Sequence, residues 1–466
     1  MNFTSYEFLL FFLIVFSAYW LVRKQAWQNL FLLAASYVFY AWFHPWYAIL
    51  LALSTLGDYW ISLALEKTEK KNRLVWASLL LNIGVLAFFK YFGFFVPNIA
   101  GRLDSIGIHA DAFLANIILP VGLSFFTLKK IAYILDVSRG VLRPTRDLAA
   151  FALFVAFFPQ IASGPIDRAQ KLLPQIESPR QWKAENFYKA WPLLVMGFFK
   201  KFVIASGVGP TISRILHLTD PTGELVIAAA IGFTLQILAD FSGYTDISRG
   251  VSYLLGFDTS ENFRNPYLSL SPTEFWNRWH ITLSTWLRDY VFFPVRRFLL
   301  RRKVNLPDWA MQSIPPIITM LVSGLWHGAG WTYVFWGGAF GVLIALYQLV
   351  GIRGDWRPSH PVKRVAAWLV MYSLICMLWL VFAAPSLGWV INIFSNPFLG
   401  TVEQQAVSLL MFSLVAVFSS PLIAKLVIDR FFKPDSIVQS LFYAVATIVM
   451  FVYVNSGTPD FIYFQF

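Results

Sequence analysis

Residues 311–350 read MQSIPPIITMLVSGLWHGAGWTYVFWGGAFGVLIALYQLV, without a single Asp, Glu, Lys or Arg. A helix of about 20 apolar residues crosses a bilayer, so this stretch predicts two spans, 311–327 and 331–350, folded back at Gly328 and Gly330. At the fold lies His327, within Leu325-Trp326-His327-Gly328-Ala329. An imidazole at membrane depth gives up hydration that lipid does not return, which makes an intramembrane histidine a functional candidate. A histidine takes a proton from a hydroxyl or thiol near neutral pH. Gly324, Gly328 and Gly330 leave room for a backbone or a ligand to come close. The competing reading is a packed histidine that donates to a helix carbonyl.

The rest of the chain shares the character of that hairpin. Of 466 residues, 58% are hydrophobic and 13% charged, with 46 Phe, 19 Trp and 19 Tyr. That is more apolar surface than a water-soluble globule hides. Further spans are expected near 3–22, 27–43, 46–65, 74–95, 112–135, 190–216, 225–247, 365–384, 404–428 and 436–455. Segments 147–164 and 271–295 are too broken or too amphipathic to cross simply. The fold class is therefore an all-α polytopic membrane protein of about 11–13 transmembrane helices with re-entrant or amphipathic segments. No Ser/Pro/Gly linker separates the spans, so residues 1–466 read as a single integral-membrane domain: N-terminal helices over 1–135, a core over 147–350 and C-terminal helices over 365–466.

Lys and Arg fall in alternate loops: Arg23-Lys24, 67–73, 129–146, 296–303, 353–364 and 425–433. The loops at 43–46, 217–224 and 385–403 have neither. Short cytoplasmic loops accumulate positive charge, which places the basic loops inside and both termini outside. The net charge of +12 follows from this asymmetry and calls for no nucleic acid. It also leaves a cytoplasmic face that attracts anionic headgroups or the phosphates of a soluble donor. Met1-Asn2-Phe3-Thr4 lacks the basic start of a secretory signal, so the first helix reads as a retained span. Cys376, the one cysteine, permits neither an internal disulfide nor a cysteine-based metal site and reads as core packing.

Ser271-Pro272-Thr273-Glu274 signals a helix start, with a serine cap, proline at the first helical position and glutamate at the third. At 100° per residue, Phe275, Trp276, Trp279, Leu283, Trp286, Leu287 and Tyr290 then fill one arc, and Asn277, Arg278, Thr282, Ser284, Thr285, Arg288 and Asp289 the other. His280 falls on the border. An amphipathic helix at the membrane interface is expected, aromatic face buried and polar face toward water or a ligand route. Upstream, Asp240-Phe241-Ser242-Gly243-Tyr244-Thr245-Asp246 clusters polar groups at the end of a span, and Glu261-Asn262-Phe263-Arg264-Asn265-Pro266-Tyr267 makes a polar turn. There is no P-loop and no Gly-x-Ser-x-Gly elbow. The spacing of the histidines and carboxylates gives no metal-ligand set, and no metal is expected.

Several of these segments together resemble the motif series of the membrane-bound O-acyltransferase (MBOAT) family. They are Leu119-Pro120-Val121-Gly122-Leu123-Ser124-Phe125-Phe126-Thr127, Phe157-Phe158-Pro159-Gln160-Ile161-Ala162-Ser163-Gly164-Pro165-Ile166, residues 240–247, Glu274-Phe275-Trp276-Asn277-Arg278-Trp279-His280, Trp286-Leu287-Arg288-Asp289-Tyr290 and residues 324–331. The closing Phe461-Ile462-Tyr463-Phe464-Gln465-Phe466 is similar to the end of the bacterial exopolysaccharide branch. The resemblance implies helices around a central tunnel, with His327 as catalytic base and His280 as the second catalytic histidine. Tyr244, Asp246, Asn265, Trp279, Ser284, Arg288 and Trp326 are expected as groups along the substrate route or tunnel.

The same resemblance implies an acetyl transfer from cytosolic acetyl-CoA across the bacterial inner membrane to an extracytoplasmic polysaccharide, cellulose or alginate. No tightly bound cofactor is expected. The implied partners are a periplasmic SGNH-hydrolase-like acetyltransferase, the polysaccharide biosynthesis and export machinery and the lipid bilayer. Phe293-Pro294-Val295-Arg296-Arg297 departs from the alginate branch toward relatives that D-alanylate teichoic acids, and Phe382-Ala383-Ala384 lacks an arginine common in that branch. D-alanyl or peptidoglycan O-acyl transfer is thus an alternative within the chemistry. A non-enzymatic transporter or flippase, with His327 relaying protons, is the alternative outside it.

Overall fold

The computed structural model describes residues 1–104, 120–301 and 306–454, and of 92–104 the backbone alone. Leu119, the start of the 112–135 span, the basic residues 302–303 and the closing 461–466 segment lie outside the described residues. Everything regular among the described residues is helical: α1 (Tyr6–Leu21), α2 (Gln25–Ala41), α3 (Pro45–Lys67), α4 (Lys71–Asp104), α5 (Leu123–Ser138), α6 (Leu148–Ala156), α7 (Phe158–Ile161), α8 (Ala169–Glu177), α9 (Ala184–Phe199) and α10 (Ser206–Leu216). The series continues with α11 (Gly223–Leu254), α12 (Pro272–Trp276), α13 (Ile281–Leu287), α14 (Phe293–Arg301), α15 (Asp308–His327), α16 (Trp331–Leu349), α17 (Pro361–Ala383), α18 (Leu387–Asn392), α19 (Val402–Phe431) and α20 (Ile437–Tyr453). Among the described residues, seven helical stretches are long and apolar enough to cross a membrane: α3, α4 as far as Tyr91, 184–216, α11, α16, α17 and α19. The protein is an all-α, multi-pass membrane protein.

The chain forms two compact units, residues 1–193 with 247–260, and residues 194–246 with 261–466. In the first unit, charge buried among apolar helices is matched group by group. Asp58 on α3 accepts hydrogen bonds from Ser78 Oγ at 2.5 Å and Asn82 Nδ2 at 2.7 Å on α4, and pairs with Lys130 on α5 at 3.3 Å. Next to it Lys129 donates to Gln160 Oε1 at 3.0 Å, and Gln160 Nε2 donates to Asp167 Oδ2 at 2.6 Å. A buried ion left without such partners costs several kcal/mol. Three helices are therefore tied to one register.

Segment 147–164 is interrupted, as its composition suggested: α6 stops at Phe157, and α7 restarts with Pro159 in its first turn. Side chains capture the backbone groups that the break frees. Phe158 N donates to Ser36 Oγ at 3.1 Å, and Pro159 O accepts from Ser248 Oγ. Non-helical backbone survives at membrane depth when it is enclosed in protein in this way.

In the second unit, α9 runs through a π-helical turn, Lys200–Ala205, into α10. The wider turn brings two adjacent lysines to α11, Lys200 to Asp246 at 2.7 Å and Lys201 to Asp240 at 2.5 Å. The α15–α16 hairpin closes on glycine. A Cβ at Gly324 would stand 2.2 Å from Tyr333 O, and one at Gly337 2.3 Å from Met320 O. Only hydrogen fits at either place, so the backbones meet there, and the hairpin read from residues 311–350 is set as a rigid pair.

The amphipathic helix expected over 271–290 is corrected by the structure. It starts as foreseen, Glu274 N donating to Ser271 Oγ at 3.2 Å, but ends after Trp276 and resumes at Ile281. His280 takes left-handed angles, φ 41° and ψ 54°, between the two pieces. The burial pattern largely survives the break: Phe275, Trp276, Trp279, Leu283, Trp286 and Leu287 are buried and Asn277 and Arg288 exposed, but Thr282 of the polar arc is buried and Tyr290 of the apolar arc only half-buried. Periodicity reported which faces are covered, and a long-range contact decided where the helix stops.

Candidate active site

That contact comes from the polar turn ahead of the helix. Asn262 O accepts from Ile281 N at 2.9 Å, and Asn262 Oδ1 accepts from Thr282 N at 3.1 Å and Thr282 Oγ1 at 2.7 Å. Two residues on, Arg264 N donates to Arg278 O at 2.9 Å. These bonds take two amides, of Ile281 and Thr282, and one carbonyl, of Arg278, that a continuous helix would pair within itself, so the chain turns at His280. A left-handed non-glycine residue stores ~1–3 kcal/mol and persists where its surroundings over-determine it. Asn262→Ala removes the oxygen shared by two of those donors. It is expected to cost about 1–3 kcal/mol in thermal unfolding and to lower acyl transfer with it. Unchanged melting and unchanged transfer would remove Asn262 from this role.

The turn presents His280, fully buried, edge-on to Phe241 of α11 at 4.7 Å between ring centroids and to Trp326 of α15 at 6.1 Å. Burial lowers its imidazole to about 3, so it is neutral at pH 7. A neutral ring is suited to orienting a polar group rather than to carrying charge. Trp326 also packs on His327 at 4.8 Å, and the indole thus lies against both imidazoles. His327, 5% exposed, is boxed further by Trp336 at 5.1 Å and Phe382 at 5.2 Å. It closes the last turn of α15, where the helix carries partial negative charge.

A cavity of about 340 Å³ opens in the same unit, lined by Trp276, Ser284, Arg288, Thr319, Met320 and Gln348 among others. Neither histidine lines it. Trp276 connects it to the histidine box, since its ring is 5.8 Å from Trp336. Beside the cavity wall, buried Glu274 holds Arg278 and Arg357, each at 2.7 Å from its Oε1.

The structure gathers five of the nine residues selected from sequence in two adjoining places: His327, Trp326 and His280 in the box, Ser284 and Arg288 at the cavity. Trp279, 1% exposed, belongs to the aromatic packing beneath, 4.8 Å from Trp379. Tyr244 is buried on α11, and Asp246 on the same helix is engaged by Lys200. Asn265 is exposed, and its left-handed backbone caps a short 3-10 turn, so its neighbour Asn262 carries the contact to the histidine turn. Asn262, Glu274 and Trp336, none of them among the nine, stand beside these groups in the structure. The motif containing Asn262 was noticed, but spacing does not tell which of its two asparagines points inward.

Residues 137–384 match MBOAT, the membrane-bound O-acyltransferase family. The chain belongs to that family and is an acyltransferase. It is 36% identical over 394 residues to a probable alginate O-acetylase AlgI of Azotobacter vinelandii, an overlap of 83% of this chain and 76% of that protein. It is 29% identical over 407 residues to a peptidoglycan O-acetyltransferase of Helicobacter pylori, covering 78% and 72%. To a teichoic acid D-alanyltransferase of Bacillus subtilis it is 29% identical over 278 residues, covering 58% and 69%.

Proposed function

We propose that the protein transfers acetyl groups from cytosolic acetyl-CoA to an extracytoplasmic polysaccharide, alginate or cellulose, at the bacterial inner membrane. The observation that supports this reading is the unbroken series of ring contacts from a cavity bearing Arg288, through Trp276 and Trp336, to the imidazole of His327. The likeness to proteins named alginate O-acetylases supports the acetyl group and the polymer class. His327 is the general base on the acceptor hydroxyl. His280, neutral, orients a reacting group, and Arg288 with the basic loops attracts the phosphates of the donor. A periplasmic hydrolase-like acetyltransferase and the polymer export machinery are the partners that would receive and place the acetyl group.

The chemistry is acyl exchange. A thioester carbonyl is attacked by a hydroxyl whose proton passes to His327, and the thiol leaves on the donor side. Membrane vesicles containing the protein, given acetyl-labelled acetyl-CoA, are expected to place label on added alginate or cellulose oligosaccharide in the presence of the periplasmic partner. Label delivered from an acetylated carrier protein and not from acetyl-CoA would overturn the donor assignment. Transfer of D-alanyl in place of acetyl would favour the alternative suggested by residues 293–297. Acyl transfer by the family leaves the transport alternative without support.

A further inference from the structure

One wall of the His327 box holds a hydrogen-bond donor that the fold does not use. Trp336 is 0% exposed, and its ring stands at 89° to the imidazole, 5.1 Å away. Its Nε1–H meets no acceptor among the described residues. An indole nitrogen donates and never accepts, so neither pH nor tautomer relieves it. A buried donor left in this state loses its hydration without a replacement bond. The ring is also fixed in place, packed by Trp276 at 5.8 Å, Phe340 at 5.4 Å, Trp379 at 5.7 Å and Phe382 at 5.1 Å.

Of the neighbouring indoles, Trp276 likewise has no acceptor among the described residues, whereas Trp379 lies beside the Tyr267 hydroxyl. Trp276 borders the cavity, and Trp379 packs on Trp279 and Trp336. Trp336 is the one of the three set against the imidazole. A fixed, buried donor beside a base has the character of a group that stabilises developing negative charge, because it needs no reorganisation when the charge appears.

We propose that the Trp336 indole N–H is the hydrogen-bond donor to the thioester carbonyl oxygen during acyl transfer. The proposal rests on the acyl-transfer reading above and assigns a catalytic residue within it. The acceptor hydroxyl oxygen bonds to the carbonyl carbon while its proton passes to His327. The carbonyl electron pair moves onto oxygen, held by the indole N–H. When the carbonyl re-forms, the carbon–sulfur bond breaks, and the thiolate takes the proton from the imidazolium to leave as thiol.

The decisive variant replaces Trp336 with 3-benzothienylalanine by amber suppression, which keeps the shape of the ring and puts sulfur where the N–H was. Turnover with acetyl-CoA is expected to fall about 10²–10³-fold, the usual effect of losing one such donor, with KM for acetyl-CoA and the thermal unfolding midpoint little changed. Wild-type kcat in the isostere, or a loss confined to KM, would overturn the proposal. A second readout keeps Trp336 itself. In the His327→Ala protein, the stretch of carbonyl-13C acetyl-CoA should lie to the red of its position in an apolar solvent, and an unshifted band would overturn the assignment. Absence of any transfer from acetyl-CoA by the wild-type protein would instead be a failure of the functional reading.

Discussion

His327→Ala should reduce acyl transfer by about 10²–10⁴-fold, the range general acid–base catalysis contributes, while the protein inserts and melts as the wild type does. The separation of the two effects follows from its surroundings. His327 ends α15, and the close approach that fixes the hairpin is made at Gly324 and Gly337, away from the imidazole. The ring contacts on Trp326, Trp336 and Phe382 are lost on truncation, but those three side chains have further partners: Trp326 packs on His280, and Trp336 on Phe340 and Trp379. Turnover measured with labelled acetyl-CoA, beside a detergent melting curve, checks both halves. An Ala variant that still transfers acetyl groups would end the assignment of His327 as base. A variant that loses transfer only because it no longer folds would show that the histidine is a packing residue, the reading weighed against catalysis from the outset.

What the residues disclosed and what they withheld divide along physical lines. The spans were readable because lipid imposes one rule on every helix that crosses it, a run of apolar residues of fixed length. His327 was readable for the same reason: a polar group in a charge-free stretch of forty residues stands out locally, without knowledge of its neighbours. The break at His280 was not readable. Its cause is Asn262, eighteen positions upstream, and helical periodicity carries no term for a distant carboxamide that takes the amide of Thr282. Trp336 escaped for the opposite reason. In a chain with 19 tryptophans, an indole in a membrane helix reads as lipid-facing or belt, and only the packing shows that this one is wholly buried against an imidazole. Asn265 was chosen over Asn262 because composition marks a polar turn but does not orient it.

The second large effect lies away from the chemistry, at the π-helical turn. Lys201→Met is expected to destabilise the protein by about 3–5 kcal/mol, the cost of leaving a buried ion without its counter-charge. Lys201 and Asp240 are 2% and 4% exposed, so water has little access to the carboxylate once the ammonium is removed. The neighbouring pair, Lys200 and Asp246, is 17% and 18% exposed and retains some hydration, and Lys200→Met should therefore cost clearly less. Replacing both members of the buried pair, as Lys201→Met with Asp240→Leu, should recover much of the loss, because no uncompensated charge remains. Melting curves of the two single variants and the double variant decide the matter, and equal destabilisation by Lys201→Met and Lys200→Met would contradict it. The residue after Asp240 gives the effect a functional side. Phe241 packs edge-on against His280, so a carboxylate that shifts α11 to find water also shifts the ring behind the second histidine. The folded fraction of Lys201→Met should then transfer acyl groups more slowly than wild type, whereas the double variant, with α11 back in register, should regain turnover along with stability.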